Sequence, residues 1–176
     1  MIIFKTDKSR IEAFPVVDGC TLFINDINEK ELLPSHDEET KEKHEKGELL
    51  LVNICIEGRC ELSMSDGTEI YLIGGEVAVD CGYSNQNRFF YPSGQYHGIE
   101  FVIDIDRVRA DRYFNPNELV KRIKEADRVL FARANETVKA LCRDIFYCDK
   151  SEIGENAFFL RALLEFELTG RLLIYG

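Results

Sequence analysis

The sequence has no apolar run long enough to cross a membrane and no excess of basic residues. No stretch approaches the ~20 consecutive apolar residues that a membrane-spanning helix needs, and residues 1–10 lack the apolar core of a signal peptide. Lys and Arg together number 22, against 32 for Asp and Glu, which gives a formal net charge of −10. Binding to a phosphate backbone requires a cationic face. We therefore expect this chain to contact neither a membrane nor DNA directly.

The six cysteines lack the paired spacing of a zinc site. Four residues separate Cys55 from Cys60, and no second pair or histidine follows at a suitable distance. The chain also lacks the G-x-S-x-G sequence around a nucleophilic serine and a glycine-rich loop before a helix that would hold phosphate. The sequence predicts a reduced cytoplasmic protein without metal, cofactor or catalytic residues.

The 176 residues, 45% of them hydrophobic, are enough for one domain with a sizeable core. Residues 1–33 mix short apolar runs with breakers, and residues 35–48 predict a solvated helix or an exposed loop. From Leu49 to Asp104 the pattern indicates short strands, interrupted by a polar loop over 81–88. Asp66-Gly67 is a strong hairpin signal. Several short strands joined by glycine-containing turns predict a sandwich or a barrel.

After Asp106 the apolar spacing becomes helical. The first predicted helix has Asn115 as its cap, begins at Pro116 and extends its apolar stripe to Leu130. The second covers residues 135–147. The third, over 151–174, is apolar on more than one face and therefore needs cover on several sides. Either a second copy of the chain or a following domain could supply that cover, and we expect both. The predicted contact residues with the second copy are Phe158, Phe159, Leu163 and Phe166.

Four short motifs carry a resemblance to a known family. They lie in residues 56–62, 66–67, 74–77 and 92–98, and the last of them, PSGQYHG, matches the P-x-G-x-x-H core of the second cupin motif. The stretch from 50 to 103 resembles a cupin barrel. More narrowly, the whole chain resembles the N-terminal sensor half of AraC-family transcription regulators.

The resemblance implies an α+β, mainly β fold: a double-stranded β-helix (cupin) barrel over 1–104, followed by about three dimerising helices over 105–176. It also implies a module that binds a small-molecule effector in the barrel and relays occupancy through those helices. The partner DNA-binding helix-turn-helix domain is expected outside this chain. The alternatives are a small stand-alone cupin enzyme, an isomerase or a lyase, and a stand-alone small-molecule-binding protein.

The first cupin motif departs from its metal-binding form. Metal-binding cupins carry an H-x-H pair and a glutamate there, whereas this chain has His44-Glu45-Lys46, with Leu50 and Leu51 where the carboxylate would lie. A cationic lysine cannot ligate a divalent ion. The resemblance therefore implies a metal-free barrel.

His97 is the most informative candidate for the effector site. Strand alternation places it on one face with Ile99, Phe101 and Ile103, which predicts an imidazole pointing into the barrel. There it would either bind the effector or be a core histidine hydrogen-bonded to a carbonyl or a tyrosine.

Other candidates share strands or turns with that motif. Asn53 and Cys55 lie on the mixed face of their strand, which either lines a cavity or meets a covering segment. The aromatic residues near the motif either form the walls of a pocket or plug the barrel mouth. The complete set of predicted ligand-binding residues is His97, Tyr96, Phe90, Phe101, Asn53, Cys55 and Tyr71.

Overall fold

A computed structural model describes residues 1–30, 36–64, 66–108 and 116–172. These ranges contain nine strands: β1 (Ile2–Lys5), β2 (Arg10–Val17), β3 (Cys20–Ile27), β4 (Leu49–Met64), β5 (Glu69–Ile73), β6 (Glu76–Asp80), β7 (Ser84–Phe90), β8 (Tyr96–Asp104) and β9 (Leu130–Arg133). They also contain four helices: α1 (Glu38–Glu45), α2 (Pro116–Ala126), α3 (Glu136–Tyr147) and α4 (Ile153–Leu172). All strand pairs are antiparallel. The predicted α+β, mainly β class is confirmed.

Strand β4 joins two layers of strands. Its first half pairs with β6 and β8 in a main sheet of order β1-β2-β3-β8-β4-β6-β9, and its second half pairs with β5 and β7. The register shifts between Cys55 and Glu57, and such a bulge bends a strand. Gly58 follows with φ +85°, at a point where a β-carbon would lie 2.1 Å from the carbonyl oxygen of Gln95. The two layers face each other as a double-stranded β-helix of the cupin type, with three of the helices after it.

Apolar side chains are buried on both faces of the main sheet. The inner cluster lies between the two layers and includes Leu62 from β4 and Leu72 from β5. The outer cluster lies between the main sheet and helices α2, α3 and α4, and it includes Ile99 and Phe101 from β8. Because both faces are covered, residues 49–56 form an apolar run that only Asn53 interrupts, instead of an alternating pattern.

The helices begin where local sequence signals place them. Asp37 before α1 and Asn135 before α3 each accept a hydrogen bond of 2.8 Å from the backbone N–H three residues later, as helix caps do. Helix α2 begins at Pro116, as predicted, and Asn115 lies outside the described residues.

Helix α4 confirms the third predicted helix, within Ile153–Leu172. One stripe of it is buried in the outer cluster, formed by Ile153, Ala157, Leu160 and Leu164. No helix in the described ranges is both long enough and apolar enough to cross a bilayer.

Two segments differ from the predictions, and a third had no element assigned to it. Residues 1–33, which the predicted barrel includes without assigned strands, contribute β1, β2 and β3, whereas the predicted polar loop over 81–88 contains most of β7. Leu130 does not continue the stripe of α2: the helix ends before Asp127, whose φ is +52°, and Leu130 opens strand β9. In each case, backbone pairing with a neighbouring strand outweighs the local pattern. Strand β9 pairs with β6, so the main sheet contains residues on both sides of position 104. The division into two domains at that position stays a prediction.

Candidate functional site

A group of polar side chains is buried on the inner face of the main sheet. The Tyr96 hydroxyl donates a hydrogen bond of 2.6 Å to Asn53 Oδ1. Glu100 is directly opposite Asn53 across the β4–β8 pair and is almost fully buried. His36 Nε2 lies 3.5 Å from Glu100 Oε1 and has no hydrogen bond within the described residues. We call Asn53, Tyr96, Glu100 and His36 the inner polar group.

The local sequence accounts for the position of Tyr96. Its ring lies across Gly98, where a β-carbon would meet the Tyr96 hydroxyl oxygen at 2.4 Å. The two residues have consecutive inward positions on β8, so only glycine leaves room for the ring. Burial raises the pKa of Tyr96 well above its usual range and the pKa of Cys55 to about 12. Both groups therefore stay protonated, as neutral donors, near pH 7.

Little empty space remains beside the inner polar group. The void lined by Asn53, Glu100, Phe89 and their neighbours has a volume of about 20 Å³. A cavity of that size holds about one water molecule. In this state the described side chains fill the barrel, and a larger molecule would have to replace one of them.

A second buried polar cluster lies at the end of β6. His44 Nε2 is 2.8 Å from Asp80 Oδ2, and Asp80 also accepts hydrogen bonds from the backbone N–H of Tyr83 and from Ser84. Burial alone would raise the pKa of Asp80, but the bonds from His44, Ser84 and Tyr83 outweigh it and leave that pKa below its usual value. The carboxylate lies between histidine and serine, whereas in a nucleophilic triad the histidine is in the middle. This cluster therefore anchors α1 to the barrel.

The structure brings together three of the predicted ligand-binding residues. Tyr96, Asn53 and Cys55 all face the interior. Phe90 is half-buried, while its neighbour Phe89 lines the small void. The mixed face of β4 thus points between the two layers, where Asn53 lines the small void, and its role in binding an effector stays a prediction.

The inward placement of His97 is wrong. Its Nε2 lies 3.3 Å from Asp26 Oδ1 and its Nδ1 lies 3.5 Å from Glu57 Oε2. Its ring packs on Phe146 of α3, with centroids 5.0 Å apart. The reason is that helices cover the outer face of β8. The apolar side of the strand, with Ile99 and Phe101, packs against these helices. The other side, with Tyr96 and Glu100, therefore faces the interior.

Two further candidates also lie outside the interior. Phe101 is buried in the outer cluster, on the same face as His97. Tyr71 is 40% exposed, with the Arg59 guanidinium 3.6 Å from its ring centroid.

Sequence reasoning missed Glu100 and His36. Glu100 did carry a signal, because it is the only charged residue within the apolar run from Ile99 to Ile103, and a charge inside such a run needs a buried partner. His36 carried none, since it lies at the start of the polar segment 35–48 and comes near Glu100 only through the fold.

Two of the four predicted dimerisation residues, Phe158 and Phe159, are exposed on α4 and lie outside the buried stripe of that helix. Phe159 is 58% exposed and Phe158 is 37% exposed. Leu163 is half-buried, and the side chain of Phe166 lies outside the described ones. A pair of exposed phenylalanines next to each other is an unusual surface for a water-soluble helix.

Comparisons with known proteins show similarity of fold. No family model matches the chain, and no curated protein matches its sequence. An apo ToxT variant from Vibrio cholerae superposes with a TM-score of 0.51 at 8% identity, covering 88% of this chain and 57% of ToxT. A Klebsiella pneumoniae protein with a double-stranded β-helix domain covers 76% of this chain and 90% of its own, with a TM-score of 0.45 at 11% identity.

A third similar structure is that of a Pseudomonas aeruginosa protein named provisionally as a glyoxylate-induced protein, with a TM-score of 0.45 at 11% identity. The match covers 72% of this chain but 42% of that one. This chain thus spans about half the length of the Pseudomonas protein and of ToxT. At these identities the likeness to ToxT shows a shared fold.

Within the described residues, no three His, Cys, Asp or Glu side chains are arranged to hold a metal ion. The histidine of the first-motif counterpart, His44, is at the end of α1 and bonded to Asp80. The inner polar group offers hydrogen-bond donors, one carboxylate and one imidazole. This set can bind a small polar molecule or move a proton.

Proposed function

We propose that this chain is the ligand-sensing and dimerisation module of an AraC-family transcription regulator, and that it binds a small molecule inside the barrel. The observation that carries the proposal is the inner polar group, in which a buried ring nitrogen of His36 lacks a hydrogen bond within the described residues. Buried polar atoms are normally satisfied. Because His36 makes no hydrogen bond to Glu100, a ligand that donates one to this carboxylate gains by displacing the imidazole.

The ligand would replace His36 at Glu100. Such a ligand needs an N–H or O–H donor for the buried carboxylate, because an unpaired buried charge is costly. A second polar atom could meet the Tyr96–Asn53 pair. A small amine- or hydroxyl-bearing molecule fits this requirement, whereas a purely apolar ligand does not.

The relay to the helices follows from strand β8. Tyr96 and Glu100 point to the interior, while Ile99 and Phe101, between and beside them, pack in the outer cluster with α3 and α4. A ligand that binds one arrangement of β8 more tightly than another would also shift the packing of those helices. The exposed Phe158 and Phe159 on α4 are the proposed contacts with a second copy.

The extent of the likeness to ToxT, an AraC-family regulator, also supports the proposal. The likeness covers 88% of this chain, whereas the predicted barrel, 104 of the 176 residues, makes up about 59% of it. The similar part therefore extends into the helices that follow.

Ligand binding is testable by a thermal-shift screen of small amines, amino acids and polyols. A true ligand raises the melting temperature by mass action. Glu100→Gln should abolish the shift, whereas Glu69→Gln, on an exposed residue of β5, should leave it unchanged. A ligand that stabilises both variants equally would contradict binding at the inner polar group.

Dimerisation is testable by sedimentation velocity. The wild-type chain should sediment as a dimer at high micromolar concentration, and Phe159→Ser should make it a monomer. Tyr147→Ser, at a 70% exposed position of α3, is the matched control and should remain dimeric. A monomeric wild-type chain would refute the proposed role of α4.

A cupin enzyme is the second candidate, because Glu100 and His36 form an ionisable pair inside the barrel. A carboxylate and an imidazole in contact are suited to acid–base catalysis. The two functions separate when a stabilising ligand is incubated overnight with protein. A sensor returns the ligand unchanged, whereas an isomerase or a lyase converts it, and Glu100→Gln stops the conversion.

A further inference from the structure

A hollow of about 270 Å³ lies where the barrel meets α3. Its walls come from the bulge of β4, the turn between β5 and β6, and one side of α3. The volume is just below the roughly 300–1,000 Å³ of sites for drug-sized ligands. We call it the junction hollow. It is separate from the inner polar group, none of whose residues lines it.

Two cations line the junction hollow from α3. Lys139 and Arg143 are one helical turn apart, so their side chains lie on the same side of the helix. Glu57 is the third charged side chain of the lining, and its carboxylate is 3.5 Å from His97 Nδ1. The lining therefore sums to a charge of about +1 (two cations, one anion), in a chain whose formal net charge is −10.

Lys139 is available to a ligand. Its Nζ lies 2.8 Å from Glu136 Oε1, but the Glu136 side chain is 86% exposed. An ion pair in that setting contributes little, because water and salt screen it. An anion in the hollow could therefore compete for Lys139.

Glycines keep the opposite wall open. Gly58, Gly74 and Gly75 line the hollow without side chains, so a ligand can approach the backbone closely. Gly75 has φ +86°, and a β-carbon there would lie 3.2 Å from Lys139 Cε. Any other residue at this position would be strained and would crowd the lysine.

From this geometry we infer that the junction hollow is a binding site for a small oxyanion, a phosphate or a carboxylate group, held between the barrel and α3. Arg and Lys supply strong charge-assisted hydrogen bonds to such groups. Residues of α3 and of β4 line the same hollow, and Cys142 on this side of α3 is already packed in the outer cluster. A bound anion would therefore add a second link between α3 and β4. This site is independent of the proposed ligand site inside the barrel.

The test is isothermal titration calorimetry with two probes, inorganic phosphate and succinate, at constant ionic strength. Lys139→Gln/Arg143→Gln removes both cations of the hollow. Lys46→Gln/Lys121→Gln is the matched control, since it removes two exposed lysines that also pair with glutamates one turn away. Circular dichroism verifies that both double variants are folded.

We expect saturable binding of at least one probe, weakened about tenfold or more in the first double variant and unchanged in the control. The probe that binds identifies the anion as phosphate or carboxylate. Absence of binding by both probes, or equal binding by the two double variants, overturns the inference.

A second measurement uses the wild-type chain alone, so it does not depend on a variant folding. Titration with the binding probe should shift the backbone amide resonances of Gly74 and Gly75 in ¹⁵N spectra. Saturable binding without these shifts would place the anion elsewhere and also overturn the inference.

Discussion

Asp80→Asn tests the buried cluster that fastens α1 to the barrel. The carboxylate accepts hydrogen bonds from the Tyr83 N–H at 2.9 Å, from the Ser84 N–H at 3.1 Å and from the Ser84 hydroxyl, and its Oδ2 lies 2.8 Å from His44 Nε2. An amide offers one acceptor oxygen in place of two. At least one buried donor then faces an NH₂ group, and the charge that strengthens the other bonds is lost.

The expected loss is about 2–4 kcal/mol of unfolding free energy, because at least one buried donor loses its acceptor and the remaining bonds lose a charged partner. For a chain of this length that loss lowers the melting temperature by roughly 4–16 °C. Asp18→Asn makes the same chemical change in an exposed pair with Arg107. It should cost at most about 1 kcal/mol. Urea denaturation at pH 7 measures both.

The effect of Asp80 should depend on pH in a defined direction. Its pKa is lowered by folding, so its stabilisation is fully present above the unfolded value of about 3.9. The stabilisation is lost as the pH falls through the lower pKa of the folded state. The gap between wild type and Asp80→Asn should therefore narrow below about pH 4. A variant within about 1 kcal/mol of wild type at pH 7, or a gap constant with pH, would refute this account.

Three other substitutions probe the fold. Tyr96→Phe should cost roughly 1–3 kcal/mol in urea denaturation, because Asn53 Oδ1 loses its buried donor; unchanged stability would contradict that bond. Gly58→Ala should lower the melting temperature sharply, since a β-carbon clashes with a backbone carbonyl at φ +85°, and a wild-type melting curve would count against the bulge. Leu160→Ala should cost about 2–5 kcal/mol, whereas Tyr147→Ala on the exposed side of α3 should cost far less. Equal losses would show that α4 is not packed on the barrel.

Local signals in the sequence determined the turns and the helix starts. Gly67 adopts φ +84° in the hairpin between β4 and β5, as the Asp-Gly pair predicts. Pro116 begins α2 and Asn135 caps α3. These features depend on the backbone preferences of one or two residues, so no knowledge of distant partners is needed to predict them.

The site depended on tertiary structure. Alternation along β8 correctly separated His97 and Phe101 from Tyr96 and Glu100, but it cannot tell which of the two faces is inside. Helices α3 and α4 cover the outer face, so the apolar side of the strand packs on them and the polar side lines the interior. Tyr96 meets an Asn53 that is 43 residues away in the chain. The periodicity of a strand shows which side chains share a face. Which element covers that face depends on how the sheet and the helices pack in the tertiary structure.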